Sequence, residues 1–373
     1  MTIRWKKLSI NVVLVVASVT IALFVAEIGL RLFGMAYCTG NWDRNDRVLG
    51  TVFIPGAKGV YKSVNGQVLI EINSLGLRGE EFPLQKPKGE KRILVLGDSY
   101  VEALQVPIEQ TFLKLLENKL SSNNILVING GHSGYGQAEQ LLFWRLRGRE
   151  LHPDLVVLFF SANDIIDNSI ELDPWQKRPY FVLTEDGMLQ LVNRSPDPSR
   201  LKTFLGEHFY LYHFVRIRGG FMRNYLYTLF EKPDLNVKIV ENAYASPQKS
   251  SESNNASKNK DSLAKAWRIT AHLLKQLDEE IKKSGAEFLV VNTGLPAVSK
   301  EKTYFSEILA AICRENNIYF LGLQKVIDEE YAGTGRAFFT DHYSPYGHKV
   351  VAKALYGVIL REYPHLVSPG NQS

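Results

Sequence analysis

Apolar and polar positions follow three regimes along this chain. From Leu8 to Ala26, nineteen consecutive residues carry no charge, and most are Val, Leu, Ile or Ala. At about 1.5 Å per helical residue such a run nearly crosses a hydrocarbon layer of about 30 Å. Residues 48–90 read instead as short strands and turns. The clearest hairpin joins Val60–Val64 to Val68–Ile72 around Asn65-Gly66, a dipeptide that supplies the positive φ of a type I′ turn. From about residue 91 strands alternate with helices. Arg92–Leu96, Ile125–Ile128, Leu155–Phe160, Phe288–Asn292 and Ile318–Leu321 are short apolar runs. Between them, Gln110–Leu120, Gln137–Leu151, Ser262–Ser284 and Tyr304–Glu315 carry apolar residues at helical spacing, and a last helix follows Phe338–His348 to about Tyr363. Uninterrupted strands such as Leu155–Phe160 predict parallel strands buried on both faces.

The alternation breaks over 165–261. This stretch holds a hairpin, Tyr180–Leu183 with Met188–Val192 around Asp186-Gly187, and an aromatic segment from Phe204 to Phe230 that includes Phe209, Tyr210, Tyr212 and Phe214. It ends in 245–261, where Ser, Asn and Lys displace hydrophobes and a disordered linker is expected. The predicted organisation is a doubly wound α/β domain over 91–363 with an insertion at 165–261. A β-rich preface and connector (31–90) and an apolar helix (8–30) precede it, behind a basic N-terminus (1–7).

Charge changes the picture at one end. Of the formal net charge of +5, residues 1–48 contribute six basic against three acidic residues, leaving about +2 for the rest. That balance argues against a nucleic-acid partner. The apolar run exceeds the about 7–15 residues of a cleaved signal peptide and meets no A-x-A site, which favours an uncleaved membrane anchor. Arg4, Lys6 and Lys7 before it set the N-terminus in the cytoplasm and the remaining chain outside. Two cysteines, Cys38 and Cys313, make neither a disulfide scaffold nor a zinc site, and no metal or cofactor is expected.

In an open parallel sheet, chemistry gathers beyond the carboxyl ends of the strands, and four motifs stand there. Gly97-Asp98-Ser99 follows the first strand, and its hydroxyl is a nucleophile if a base lies near or a helix N-cap if none does. Asn129–Gly136 follows the second, with glycines that let backbone N–H groups approach a ligand. It misses the G-x-S-x-G elbow by one residue, which leaves Ser133 a weak nucleophile candidate. Ser161-Ala162-Asn163-Asp164 follows the third, where an asparagine amide can donate to an oxyanion or close an Asx turn. Asp341-His342 precedes the last helix; a histidine can take a serine's proton, and a carboxylate can orient its ring, with His348 the nearest competing histidine.

In this order the motifs resemble those of the SGNH (GDSL-type) hydrolase family over about residues 91–164 and 286–363. The resemblance implies a three-layer α/β/α fold with a flavodoxin-like sheet. It also implies Ser99 as nucleophile, His342 as base, Gly134 and Asn163 as oxyanion donors beside the Ser99 N–H, and Asp98 in support. Two positions depart from the family pattern. Ser161 replaces a glycine, and Asp341 adjoins His342 where the family's aspartate stands two or three residues earlier, so a Ser-His-Asp341 triad and a Ser-His dyad both stay open. The function implied is hydrolysis of an O-acyl ester, on a small molecule or an envelope glycan outside the cytoplasm. Transfer of the acyl group to a polysaccharide, and a non-catalytic binding module, are the alternatives.

Overall fold

The computed structural model describes residues 2–33, 38–39, 42–63, 66–195, 201, 204–205, 208–212, 214–215, 254–294 and 302–367. The apolar run lies in helix α1 (Thr2–Phe33), whose segment Asn11–Leu32 is long and apolar enough to cross a membrane, with a mean hydropathy of 2.5. Residues 11–25 are exposed all round, the surface expected of a helix with no polar face. Near its C-terminal end, Glu27 pairs with Arg31 and accepts the backbone N–H groups of Tyr210 and Leu211 at 3.0 and 2.8 Å. The Arg31 guanidinium lies 4.7 Å from the Tyr210 ring centre, so part of the insertion's aromatic segment is tied to this helix.

The preface consists of β1 (Cys38–Thr39), β2 (Asp43–Asp46), β3 (Gly50–Phe53), β4 (Lys58–Ser63) and β5 (Gly66–Glu71). The hairpin expected around Asn65-Gly66 has strands β4 and β5, antiparallel with Ser63 opposite Gly66; Val64 and Asn65 lie outside the described residues. Trp42, Phe53, Val68, Ile70 and Ile72 form a small core, which Leu104 of the α/β domain completes. The preface therefore packs on the loop that follows Ser99.

The α/β domain begins with β6 (Lys91–Gly97), α2 (Ser99–Glu102), α3 (Phe112–Leu120), β7 (Ile125–Gly131), α4 (Gln137–Leu146), β8 (Leu155–Phe160) and α5 (Asp164–Asp167). The insertion's hairpin, β9 (Pro179–Leu183) and β10 (Leu189–Asn193), follows. The domain resumes with α6 (Asn254–Lys283), β11 (Glu287–Asn292), α7 (Lys302–Glu315), β12 (Tyr319–Gly322), α8 (Leu323–Thr334), α9 (Pro345–Glu362) and α10 (Pro364–Val367). Five parallel strands lie in the order β12-β11-β8-β6-β7, which in order of appearance is 2-1-3-4-5, the flavodoxin-like arrangement.

Alternate residues of each central strand feed opposite layers. Leu94, Leu96, Val156, Leu158 and Val290 pack with α4, α6 and α7, and Ile93, Val95, Val157, Phe159 and Leu289 with α3 and α9. Both faces are covered, so the strands read as unbroken apolar runs. Truncating a fully buried leucine here to alanine costs about 2–5 kcal/mol.

Two boundaries and one helix differ from expectation. Helix α6 starts at Asn254, eight residues inside the stretch read as a disordered linker, because a helix nucleated on a packed apolar face extends cheaply through flanking polar residues. The remainder of that stretch, 245–253, lies outside the described residues. The expected helix Gln137–Leu151 ends at Leu146 and passes into a 3₁₀ turn at Gly148–Leu151. Helix α8 was not expected, although Leu323, Val326, Ile327 and Tyr331 carry its spacing.

Candidate active site

Strand β6 ends at Gly97, and Asp98 caps the single turn of α2 by accepting the Tyr100 N–H at 3.0 Å. Ser99 is thereby fixed at the first helical position, half-buried beyond the sheet's carboxyl edge. His342 comes from the turn before α9. There the Thr340 N–H donates to the His342 carbonyl at 2.8 Å, and the Ser344 N–H to the Phe338 carbonyl at 2.9 Å. Ser344 then caps α9, with Pro345 at its first position. The His342 ring packs 4.9 Å from that of Tyr100, and its Nε2 lies 2.7 Å from Ser99 Oγ. Burial lowers the imidazole pKa from its ordinary value, against a smaller upward pull from Asp341.

Asp341 is exposed, and its Oδ2 lies 3.8 Å from His342 Nδ1, beyond hydrogen-bond reach; its Oδ1 accepts the His342 N–H at 3.0 Å. The side-chain amide of Gln105 approaches the same Nδ1 to 3.0 Å.

Across Ser99 stand the two remaining motifs. Gly134 adopts φ +78°, open to glycine at no cost, and its carbonyl accepts from Arg178. Gly131 serves packing instead: a Cβ there would lie 2.6 Å from the Glu102 backbone nitrogen. Asn163 is exposed at the start of α5. Its Nδ2 donates to Asp167 Oδ2 at 2.9 Å and to Asp98 Oδ2 at 3.3 Å, so both amide hydrogens already have carboxylate partners. Burial pushes the Asp98 carboxyl up to about 6. It also raises Asp164 and Asp167; for Asp164 the neighbouring Asp98 adds to the effect, whereas for Asp167 the Arg178 guanidinium opposes it.

The competing candidates are occupied elsewhere. Ser133 Oγ donates to the buried Glu102 carboxylate, which also takes the Ser133 backbone N–H at 2.6 Å. His348 is buried, accepts the Phe112 N–H at 3.2 Å on Nδ1, stacks on the Phe112 ring, and is pushed by burial down to about 3. It is a neutral core residue.

Three further residues shape the site without a motif to announce them. Gln105 meets the imidazole. Arg78 from the preface donates to the Glu102, Ala103 and Val106 carbonyls, the last at 2.8 Å. Arg178, just before β9, pairs with Asp167 Oδ1 at 2.9 Å and Glu139 Oε1 at 3.4 Å while holding Gly134. One buried and one half-buried arginine, each with several carbonyl or carboxylate partners, are the signal such residues leave, and it is visible only once the chain is folded. Among the described residues no group of three His, Cys, Asp or Glu is arranged to hold a metal ion.

No protein-family model matches the chain, and no curated protein matches it. Among solved structures it is similar to TesA, at 15% identity and a TM-score of 0.38, covering 72% of this chain and 98% of that one. It is also similar to a putative lipolytic protein of the G-D-S-L family from Desulfitobacterium hafniense DCB-2, at 12% identity and a TM-score of 0.39, covering 72% and 99%. A catalytic mutant of Axe2, an acetylxylan esterase from Geobacillus stearothermophilus, is similar at 13% identity and a TM-score of 0.39, covering 76% and 97%. At these identities and TM-scores nothing about this chain's chemistry follows from them, and what the site can do rests on its own residues.

Proposed function

We propose that the protein is a serine ester hydrolase of the SGNH type, tethered to a membrane by α1 with its α/β domain outside the cytoplasm, and acting on an O-acylated glycan or small ester. The observation that carries this reading is the 2.7 Å contact between Ser99 Oγ and His342 Nε2 at the carboxyl edge of the sheet. Nε2 takes the Ser99 proton as Oγ bonds to the ester carbonyl carbon. The carbonyl's electron pair moves onto its oxygen, which the Ser99 and Gly134 N–H groups and Asn163 Nδ2 receive. For Asn163 this means exchanging its longer hydrogen bond, that to Asp98, for one to the oxyanion. The intermediate collapses, the alcohol leaves with the proton from Nε2, and water repeats the cycle on the acyl-serine. Burial lowers the imidazole pKa from 6.5 and so favours the neutral base, and activity falls as pH drops through that lowered value.

The test is Ser99→Ala in the full chain in detergent. Turnover of p-nitrophenyl acetate should fall on the order of 10⁴-fold or more. Labelling of the wild-type protein by a fluorophosphonate should map to Ser99. Unchanged turnover in the variant removes the serine mechanism. A C-terminal alkaline phosphatase fusion, active only outside the bacterial cytoplasm, tests the orientation, and an inactive but intact fusion reverses it.

A further inference from the structure

A general base at His342 must receive the Ser99 proton on Nε2, so a neutral imidazole must carry its own proton on Nδ1. On this half-buried ring, an Nδ1–H that faces the buried Gln105 side chain needs an acceptor there. The carboxylate expected in that role, Asp341, stands at 3.8 Å and is exposed, whereas the Gln105 amide is at 3.0 Å and buried. With Nε2 of Gln105 facing the ring, its Oε1 is buried with no hydrogen-bond partner. The imidazole would then have to accept on Nδ1 and hold its proton on Nε2, the tautomer that cannot act as a base. Turning the amide by 180° exchanges its nitrogen and oxygen without changing its shape, and it gives the orphaned oxygen the Nδ1–H as its partner.

The loop bearing Gln105 is held from several directions. Arg78 binds the carbonyls on either side of it, at Ala103 and Val106; Ala103 turns through φ +55°; and Ser63 Oγ donates to the Gln105 carbonyl at 3.1 Å. Leu104 is fixed in the preface core. The preface thus sets the position of a side chain that touches the histidine.

We infer that Gln105, rather than Asp341, is the positioning residue of this site: its side-chain oxygen accepts the His342 Nδ1–H and thereby selects the tautomer that activates Ser99. The inference rests on the serine-hydrolase reading above. A neutral amide selects the tautomer without adding charge to stabilise the imidazolium, so the dependence should be smaller than the about 10⁴-fold loss that follows when an aspartate in this role becomes asparagine.

The experiment compares Gln105→Met and Gln105→Glu with the wild type, full-length in detergent, on p-nitrophenyl acetate, after fluorophosphonate labelling of wild-type Ser99. If the wild type is not labelled, the hydrolase reading itself fails. With labelling in place, Gln105→Met should lower kcat about 10- to 100-fold with KM within twofold. Gln105→Glu, an acceptor of the same length, should restore kcat and move the acid limb of kcat/KM to higher pH. A folded Gln105→Met protein with wild-type kcat and pH profile overturns the inference, as does equal loss in both variants. Nitrogen-15 spectra of histidine-labelled wild-type protein, with His342 assigned by its absence in His342→Gln, provide a readout that needs no folded Gln105 variant. The Nδ1–H tautomer is expected, and the Nε2–H tautomer overturns the inference.

Discussion

The two flanks of Ser99 are built from opposite chemistry. On one side Asp98, Asp164 and Asp167 crowd around Asn163, with the Arg178 guanidinium paired to Asp167. On the other, His342 meets a neutral amide and the ring of Tyr100, which packs in turn on Tyr343 and Phe339. Buried like charges cannot all ionise cheaply, so the first flank retains protons at pH values where isolated aspartates are charged. The second gives up its extra proton at lower pH than a free imidazole, since burial favours the neutral ring. The acidic flank can tolerate an oxyanion beside Asn163 only to the extent that it is protonated. The aromatic flank can supply a base without a carboxylate.

The largest effect that would sharpen this contrast is on Asn163. If its amide gives up Asp98 to receive the oxyanion, Asn163→Ala should lower kcat on p-nitrophenyl acetate about 10²-fold, or about 3 kcal/mol, with KM little changed. A kcat within threefold of wild type would mean that Asn163 only bridges Asp98 and Asp167, and the flank's role would be structural.

A smaller effect tests the protons themselves. Asp164 is fully buried, and its Oδ2 accepts the Gln137 Nε2–H at 2.5 Å and the Ser161 N–H at 3.1 Å. Its folded pKa is raised above the unfolded value, so the folded state binds the proton more tightly. That contribution is fully present below the unfolded pKa and is lost as pH rises through the folded one. Asp164→Asn keeps an oxygen for both donors and removes the titration. The melting temperature of the variant relative to wild type should therefore increase from pH 5 to pH 8 by a few degrees, about 1 kcal/mol at this size. A difference that is flat or falls with pH would mean that the flank is ionised at little cost.

Much of this arrangement was legible in the chain before it folded, for identifiable reasons. Leu155–Phe160 announces a strand buried on both faces, and Gly97-Asp98-Ser99 marks the strand-to-helix turn because a cap and a tight exit need those residue types. Ser99 and His342, 243 positions apart, are paired in the sequence only through the family resemblance that the ordered motifs carry, and the fold sets them 2.7 Å apart. Gln105, Arg78 and Arg178 were not legible. Each acts through carbonyls, carboxylates or a ring that lie outside its own stretch of sequence, and nothing local distinguishes a buried arginine clamping a loop from one on the surface. The roles of the glycines after β7 were legible only in type: Gly131 is needed for close packing, whereas Gly134 has the positive φ.

The smallest expected effect falls on Asp341, the residue whose place in the chain most invites a catalytic role. Its carboxylate is exposed and 3.8 Å from Nδ1, where solvent screens the interaction to about 1 kcal/mol or less. Its pull on the imidazole is upward and weaker than the opposing effect of burial. Asp341→Asn should leave kcat at pH 8 within about threefold of wild type, because a 1.4 kcal/mol change is already tenfold. Removing the anion lets burial act alone, so the imidazole pKa falls further and the acid limb of kcat/KM moves to lower pH, opposite to the shift expected for Gln105→Glu. Raising the ionic strength should shrink the wild-type difference from Asp341→Asn, as it does for any exposed pair. A loss of 10³-fold or more in Asp341→Asn, insensitive to salt, would instead mean that the carboxylate swings onto Nδ1 when substrate binds; the aromatic flank would then acquire the charge that the resting structure withholds from it.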